Sequence, residues 1–301
     1  MFHDICLDDK ILFDKYLFPD KATHSQYNFT NLYMWRHELK PAVCEYNGCL
    51  CIHAKYYGHE MALFPIGKSL EDAKTAIDMM LETFGRKLTF AVLDDEKSAA
   101  LETLYPGKFK FYESRANYDY VYLTKRLITL SGKKLHAKRN HINKFKAEYD
   151  YEYKSLNADL LKYCEEIERL WLENKEDMSD RDKRSEFKST MNVLDNFDYL
   201  GCRGGIIFIG GKPSAYSIGE MMTDKTALIH IEKADRNIEG LYPIINQLTC
   251  KNEFADSVFV DREEDMGIEA LRKAKLSYHP DKLLKSDRAR LKNDCKEIHL
   301  S

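Results

Sequence analysis

Between Gly204 and Ala234 three β-rich runs follow one another, separated only by Gly210-Gly211 and by Thr223-Asp224-Lys225. Breaks this short join antiparallel neighbours, because a parallel return needs a crossover of about a dozen residues or more. The stretch is therefore a three-stranded meander, and the rest of the second half has to cover or extend it. Before it, residues 149–156 are rich in aromatics and read as a strand. Asn157 then caps a segment in which Leu160, Leu161, Ile167, Leu170 and Trp171 fall at helical spacing, and a further helix is expected over about 185–200. A loop (235–240), a helix (242–254), a strand (257–262) and a helix (268–275) follow the meander. The order is β-α-α-β-β-β-α-β-α.

The first half repeats this order more faintly. Helices near 10–18 and 30–37 lead to three strand-like runs (42–46, 49–55 and 60–65), with turns at Asn47-Gly48 and Gly58. A helix (70–84), a strand (88–93), a helix (98–104) and two strands (109–113 and 118–123) complete it. A period of half the chain marks a duplicated domain, since solenoid units run about 20–50 residues. At 301 residues the chain also exceeds what one hydrophobic core usually organises. The expected domains are 1–125 and 126–301.

The 46 basic residues nearly cancel the 49 acidic ones, so a net charge of -3 does not mark the whole chain as a polyanion binder. Any basic site must be local. With 32% charged residues and a mean hydropathy of -0.52, no stretch approaches the roughly 18 consecutive apolar residues of a spanning helix. Work on a membrane component would be done from the surface. Eight cysteines (Cys6, Cys44, Cys49, Cys51, Cys164, Cys202, Cys250, Cys295) and no signal peptide point to free thiols in a reducing cytoplasm. Cys44, Cys49 and Cys51 cluster, but their spacing lacks the paired C-x2-C of a structural zinc site, so no metal is expected.

Four stretches are distinctive: FTNLYMWR (29–36), LSGKKLHAKRNHINKF (130–145), IHIEKADRNIEGLYPIINQ (229–247) and DREEDMGIEALRKAKLSYHP (261–280). With the strand pattern between them, the chain resembles the C-terminal domain family of phosphatidylglycerol lysyltransferases, tandem GNAT relatives of the Fem-type aminoacyltransferases. The resemblance implies two GNAT-like α/β domains, each a central mixed sheet flanked by helices, with two parallel strands splayed to admit an acyl donor. Full lysyltransferases carry a membrane-embedded region ahead of this domain, and this chain is expected to be a soluble member without it. The lipid is therefore not implied as acceptor.

From Lys125 to Lys146 there are eight Lys or Arg residues and no Asp or Glu. The window reads either as a solvated helix face or as a contact for tRNA, a nucleotide or an anionic lipid head group. Lys134 and Lys138 are the candidates for an exposed contact. Arg139 falls on the apolar stripe of Leu135, Ile142, Phe145 and Tyr149, which predicts a buried carboxylate partner. Asp261, Arg262 and Asp265 lie between a strand and a helix, where open α/β sheets bind ligands; Asp265 equally suits helix capping.

On the last meander strand, simple alternation puts His230 and Glu232 on the side of Leu228, with Ile229, Ile231 and Lys233 on the other. In the GNAT arrangement this strand borders the acyl carbonyl, which implies Glu232 as general base; a structural pair with Arg139 or Arg262 is the alternative. Lys233 joins the candidate anion binders. The loop holding Arg236, Gly240 and Tyr242 occupies the GNAT pyrophosphate cradle, but it half-meets that pattern, with Tyr242 at a small position. Tyr278 matches a general-acid tyrosine of many GNAT proteins, or else packs on its neighbours. The expected activity is acyl or aminoacyl transfer to an amine or hydroxyl, with aminoacyl-tRNA as donor. The alternatives are an acyl-CoA-dependent N-acetyltransferase and a non-catalytic module that binds RNA or an anionic ligand.

Overall fold

The computed structural model describes residues 1–18, 23–56 and 58–292. It divides into two compact units: 1–119 with 264–268 and 283–301, and 120–263 with 269–282. The expected division was a single cut at 125/126. The chain instead leaves and re-enters the first unit, because its last strand belongs to that unit's sheet.

In the first unit β1 (His3–Asp4) is followed by α1 (Lys10–Leu17), α2 (Phe29–Met34) and α3 (Arg36–Leu39). Then come β2 (Ala42–Tyr46), β3 (Cys49–Tyr56), β4 (His59–Leu63), α4 (Leu70–Phe84), β5 (Thr89–Leu93), α5 (Asp95–Leu104) and β6 (Phe109–Tyr112). Helix α4 starts where the Ser69 hydroxyl accepts the Asp72 N–H at 3.1 Å, and α5 where Asp94 accepts that of Lys97 at 2.7 Å. Both caps are serine or aspartate, the residues whose short oxygens reach the free N–H groups of a first turn. The parallel pair is β4 and β5. Between β5 and β6 sits β14 (Asp287–Leu291), antiparallel to both. Ala76, Ile77, Met80, Phe90 and Leu101 fill the core on this sheet.

The second unit opens with β7 (Asp119–Leu123), α6 (Thr124–Thr129), α7 (His136–Glu148) and β8 (Tyr151–Ser155). Helices α8 (Leu161–Glu173), α9 (Asp180–Leu194) and α10 (Phe197–Leu200) precede the meander of β9 (Arg203–Ile209), β10 (Lys212–Met221) and β11 (Thr226–Ala234). The chain continues through α11 (Leu241–Asn252), β12 (Phe259–Asp261) and α12 (Glu269–Leu276), and β13 (Lys282–Leu284), which spans the change of unit at 282/283, pairs in the second sheet. The sheet order is β13-β7-β12-β11-β10-β9-β8. Where one helix over about 185–200 was expected, Ser179 caps α9 five residues earlier, and the chain breaks before the short α10. Leu135, Ile142 and Phe145 of the basic segment are buried with Ile244, Ile245 and Phe254. That burial bears out the apolar stripe.

Arg139 departs from expectation. Its guanidinium donates to the carbonyl oxygens of Leu130 and, at 2.8 Å, of Gly132. No carboxylate partner is needed, because α6 ends at Leu130 in a left-handed conformation and leaves carbonyls that a cation can satisfy. Among the described residues no helix is long and apolar enough to cross a membrane. The seven cysteines among the described residues are free thiols; Cys295 lies outside them.

Candidate functional site

Strands β11 and β12 run parallel, paired at Thr226↔Phe259, Ala227↔Val260 and Leu228↔Asp261. Beyond Leu228 strand β11 continues to Ala234, while the chain after Asp261 turns away, with Glu263 at φ +57°. The two strands part there, and the side chains of Glu232 and Arg262 meet at the opening.

A bulge aims them. The β10–β11 register jumps from Ile218↔Ile231 to Gly219↔Ile229, so His230 is the extra residue on β11. One inserted residue flips every side chain beyond it. Glu232 accordingly reaches α11, where Asn246 Nδ2 donates to its Oε2 at 3.0 Å. Lys233 turns the other way and pairs with Glu186 at 2.5 Å and Glu168 at 3.7 Å, with its ammonium 3.5 Å from the Trp171 ring centroid. Alternation read without the bulge put Glu232 on the face of Leu228 and Lys233 on that of Ile229; past His230 the two faces are exchanged, so Glu232 lies with Ile229 and Lys233 with Leu228. Lys233 is not part of the Glu232 cluster.

Arg262 Nη2 donates to Glu232 Oε1 at 2.9 Å, with both side chains 13% exposed. Its guanidinium carbon lies 5.0 Å from the Tyr278 ring centroid and 5.9 Å from that of Tyr122. Burial works against its charge, but Glu232 holds the guanidinium firmly protonated. Its Nη1 is buried and has no hydrogen-bond partner. Lys138 stands 4.3 Å over the Tyr278 ring, half-buried. Burial first, and then the nearby Arg262 charge, lowers its pKa below that of an ordinary lysine. Two cations face one carboxylate, which leaves a positive site with one open donor. Such an arrangement suits a carbonyl, carboxylate or phosphate oxygen.

The other candidates divide. Lys134 is exposed, as expected, whereas Lys138 is half-buried over the Tyr278 ring. Tyr278 lies in the turn after α12, its N–H donating to Lys275 O at 3.1 Å, and burial raises its phenol pKa. Asp261 is buried, with Oδ1 accepting the Glu263 N–H at 2.8 Å, which shapes the turn that delivers Arg262. Asp265 belongs to the first unit, where its carboxylate accepts from Gly267 N at 2.9 Å and Arg115 at 3.3 Å. It closes a turn there and is not brought to the Glu232 cluster.

The pyrophosphate cradle is spoiled. Helix α11 begins Leu241-Tyr242-Pro243. The Leu241 N–H already donates to Ile238 O at 3.3 Å, and Pro243 has no N–H, so little of the usual anion-binding crown is left. Gly240 (φ +86°) presses on α7 so closely that a Cβ would sit 2.4 Å from His141 O. Glu239 adds negative charge there, paired with Lys144 and His141. Arg236 is exposed, and Tyr242 spends its hydroxyl accepting the Trp171 N–H at 2.9 Å. These residues do not fit the pyrophosphate of CoA.

Sequence reasoning missed Asn246 and Tyr122. A polar Asn246 next to Ile244 and Ile245 in an apolar helix was a usable signal, whereas Tyr122 enters only because β7 pairs with β12. His230 bridges Glu220 at 2.9 Å and Glu263 at 3.3 Å, and although burial opposes its charge these carboxylates raise its pKa to about 9.

A mixed sheet whose parallel central strands splay over a cationic cluster, in a chain that carries a second sheet of the same order, defines a tandem GNAT-type transferase fold. A tandem GNAT protein from the clavulanic acid biosynthesis pathway matches 97% of this chain and 98% of its own at TM-score 0.52 and 10% identity. Residues 20–286 match the family described as phosphatidylglycerol lysyltransferase, C-terminal, and the chain belongs to it. A conserved protein of unknown function from Bacteroides thetaiotaomicron VPI-5482 is 32% identical, with TM-score 0.90, over 97% of this chain and 99% of that one. The structure of L-PGS from Bacillus licheniformis has TM-score 0.66 at 14% identity, over 97% of this chain and 94% of that one. An uncharacterized protein of Mycoplasmoides gallisepticum is 29% identical over 178 residues, which are 58% of this chain and 56% of that relative's length.

Proposed function

We propose that this protein transfers an aminoacyl group from an aminoacyl-tRNA ester to an amine or hydroxyl acceptor, in a reducing cytoplasm. The observation that carries the reading is the buried, unpartnered Arg262 Nη1 at the mouth between β11 and β12. The acceptor nitrogen or oxygen attacks the ester carbonyl carbon, and the carbonyl oxygen becomes an oxyanion that Arg262 stabilises. Glu232 has both oxygens engaged, and it holds the guanidinium in place. As the C–O ester bond breaks, the tRNA ribose oxygen leaves and takes a proton from Tyr278, which burial keeps in its phenol form. The acceptor's proton passes to solvent or to the tyrosinate, which closes the balance. Lys138 faces the terminal phosphate, and the exposed Lys134 extends the contact along the RNA. The poor fit of α11 to a pyrophosphate favours an aminoacyl ester over acyl-CoA.

The test measures loss of label from a mixed pool of radiolabelled aminoacyl-tRNAs, with amine and hydroxyl acceptors supplied. We expect turnover by the wild type, a fall of about 10²–10⁴-fold in Tyr278→Phe, and retained tRNA binding. Binding without turnover by the wild type would point to the RNA-binding module. No binding at low salt would overturn the reading.

A further inference from the structure

In the first unit, among residues that the transfer reaction does not use, His3, Cys6 and Asp9 recur at every third position. One donor atom from each, an imidazole nitrogen, the thiol sulfur and a carboxylate oxygen, lies within 4.8 Å of the others. We propose that His3, Cys6 and Asp9 bind a divalent first-row transition-metal ion of the zinc type.

The backbone presents the three donors in a fixed arrangement. His3 is held by pairing with Val43 on β2, and the Ile5 N–H donates to Pro41 O at 3.0 Å. Cys6 then stands at the head of a 3-10 turn (Leu7–Asp9), its own N–H donating to Asp9 Oδ2 at 2.8 Å. Asp9 is 7% exposed, and its other oxygen lies 2.8 Å from His3 Nε2. Sulfur, nitrogen and oxygen ligands bind zinc at about 2.0–2.3 Å, which places tetrahedral donors about 3.3–3.8 Å apart. Side-chain rotation alone therefore closes these donors on an ion.

The donor set also chooses the ion. A thiolate with an imidazole favours zinc, cobalt or nickel over magnesium and calcium, which prefer all-oxygen shells. On binding, the Cys6 thiol gives its proton to solvent, neutral His3 keeps its proton on Nδ1, and the ion replaces the His3–Asp9 hydrogen bond. Thiolate and carboxylate then cancel the double charge. The fourth position faces water, since Cys6 is exposed and the His3 side chain is 52% exposed. The other described cysteines are all buried, so among the described residues Cys6 is the thiol that a dissolved ion can reach.

Cobalt(II) titration of the metal-stripped, tag-free full chain tests this, in a Cys295→Ser background. We expect one equivalent of cobalt to give a sulfur-to-cobalt charge-transfer band and tetrahedral d–d bands, both removed by added zinc. Cys6→Ser should abolish the charge-transfer band with the circular dichroism unchanged. His3→Ala and Asp9→Asn should weaken binding at least about tenfold, since even the loss of an outer-shell partner costs about 10–100-fold. A wild type without a thiolate band, a band that survives Cys6→Ser, or wild-type affinity in both other variants would overturn the site.

Discussion

Replacing Glu232 by Gln separates the two roles a carboxylate can have at the mouth between β11 and β12. The side chain keeps its shape and one acceptor, but its charge is gone. Arg262 then stays 13% exposed with Nη1 already unpartnered and no counter-charge within hydrogen-bonding reach. Removing one member of a buried ion pair typically costs about 3–5 kcal/mol, and the retained amide oxygen puts the expected loss near 3. At about 2–4 °C per kcal/mol for a unit of this size, the melting temperature should fall by about 6–12 °C. Urea unfolding followed by tryptophan fluorescence measures the free energy, and turnover per folded molecule is read on the same preparation. The pair should also be replaceable: Glu232→Leu with Arg262→Met should recover stability to within about 1–2 kcal/mol of wild type, because apolar substitutes carry no desolvation cost. A Glu232→Gln protein that melts like wild type but has lost transfer would refute the clamp and restore Glu232 as the general base.

His230 gives a signed pH dependence: folding raises its pKa from 6.5 to about 9, so its stabilisation is complete below about pH 6.5 and is lost as pH rises through 9. Unfolding free energy should drop by about 3 kcal/mol across that window, a slope that His230→Gln removes; an unchanged profile in the variant would sink the assignment. Gly240→Ala should destabilise by about 2 kcal/mol or more, from the left-handed backbone and the approach to His141 O, as checked by thermal melts. Lys133→Glu with Lys134→Glu should weaken tRNA binding in filter assays while shifting stability by less than about 0.5 kcal/mol, both side chains being exposed. Calorimetry with acyl-CoA should show no binding, since Pro243 and Glu239 spoil the α11 N-terminus.

Much of this fold is written in local signals. Gly210-Gly211 and Asp224-Lys225 punctuate the meander, and Ser69, Asp94, Asn157 and Ser179 stand where helices begin. The family resemblance added the splayed pair, and Arg262 was singled out from its place between a strand and a helix, the end of an open α/β sheet where ligands bind. What escaped was whatever depends on a partner distant in sequence. The bulge at His230 exists only in the register with β10, so alternation along β11 misjudged every side chain after it. Arg139 looked like half of an ion pair, because a helical stripe reveals burial but not that α6 ends beside it with free carbonyls. Asp265 stood next to the site in sequence, and a change of compact unit between Glu263 and Glu264 takes it elsewhere.

The insertion of β14 between β5 and β6 orders events during synthesis. Residues 287–291 leave the ribosome after the whole of the second unit, so the sheet that begins the chain is the one completed last. Until then β5 and β6 keep open edges, rows of N–H and C=O groups that any other nascent chain can pair with. A polysome making this protein therefore holds a vulnerable intermediate for most of each translation cycle, and a message cut short before Asp287 yields a second unit with all its strands beside a first sheet still gaping.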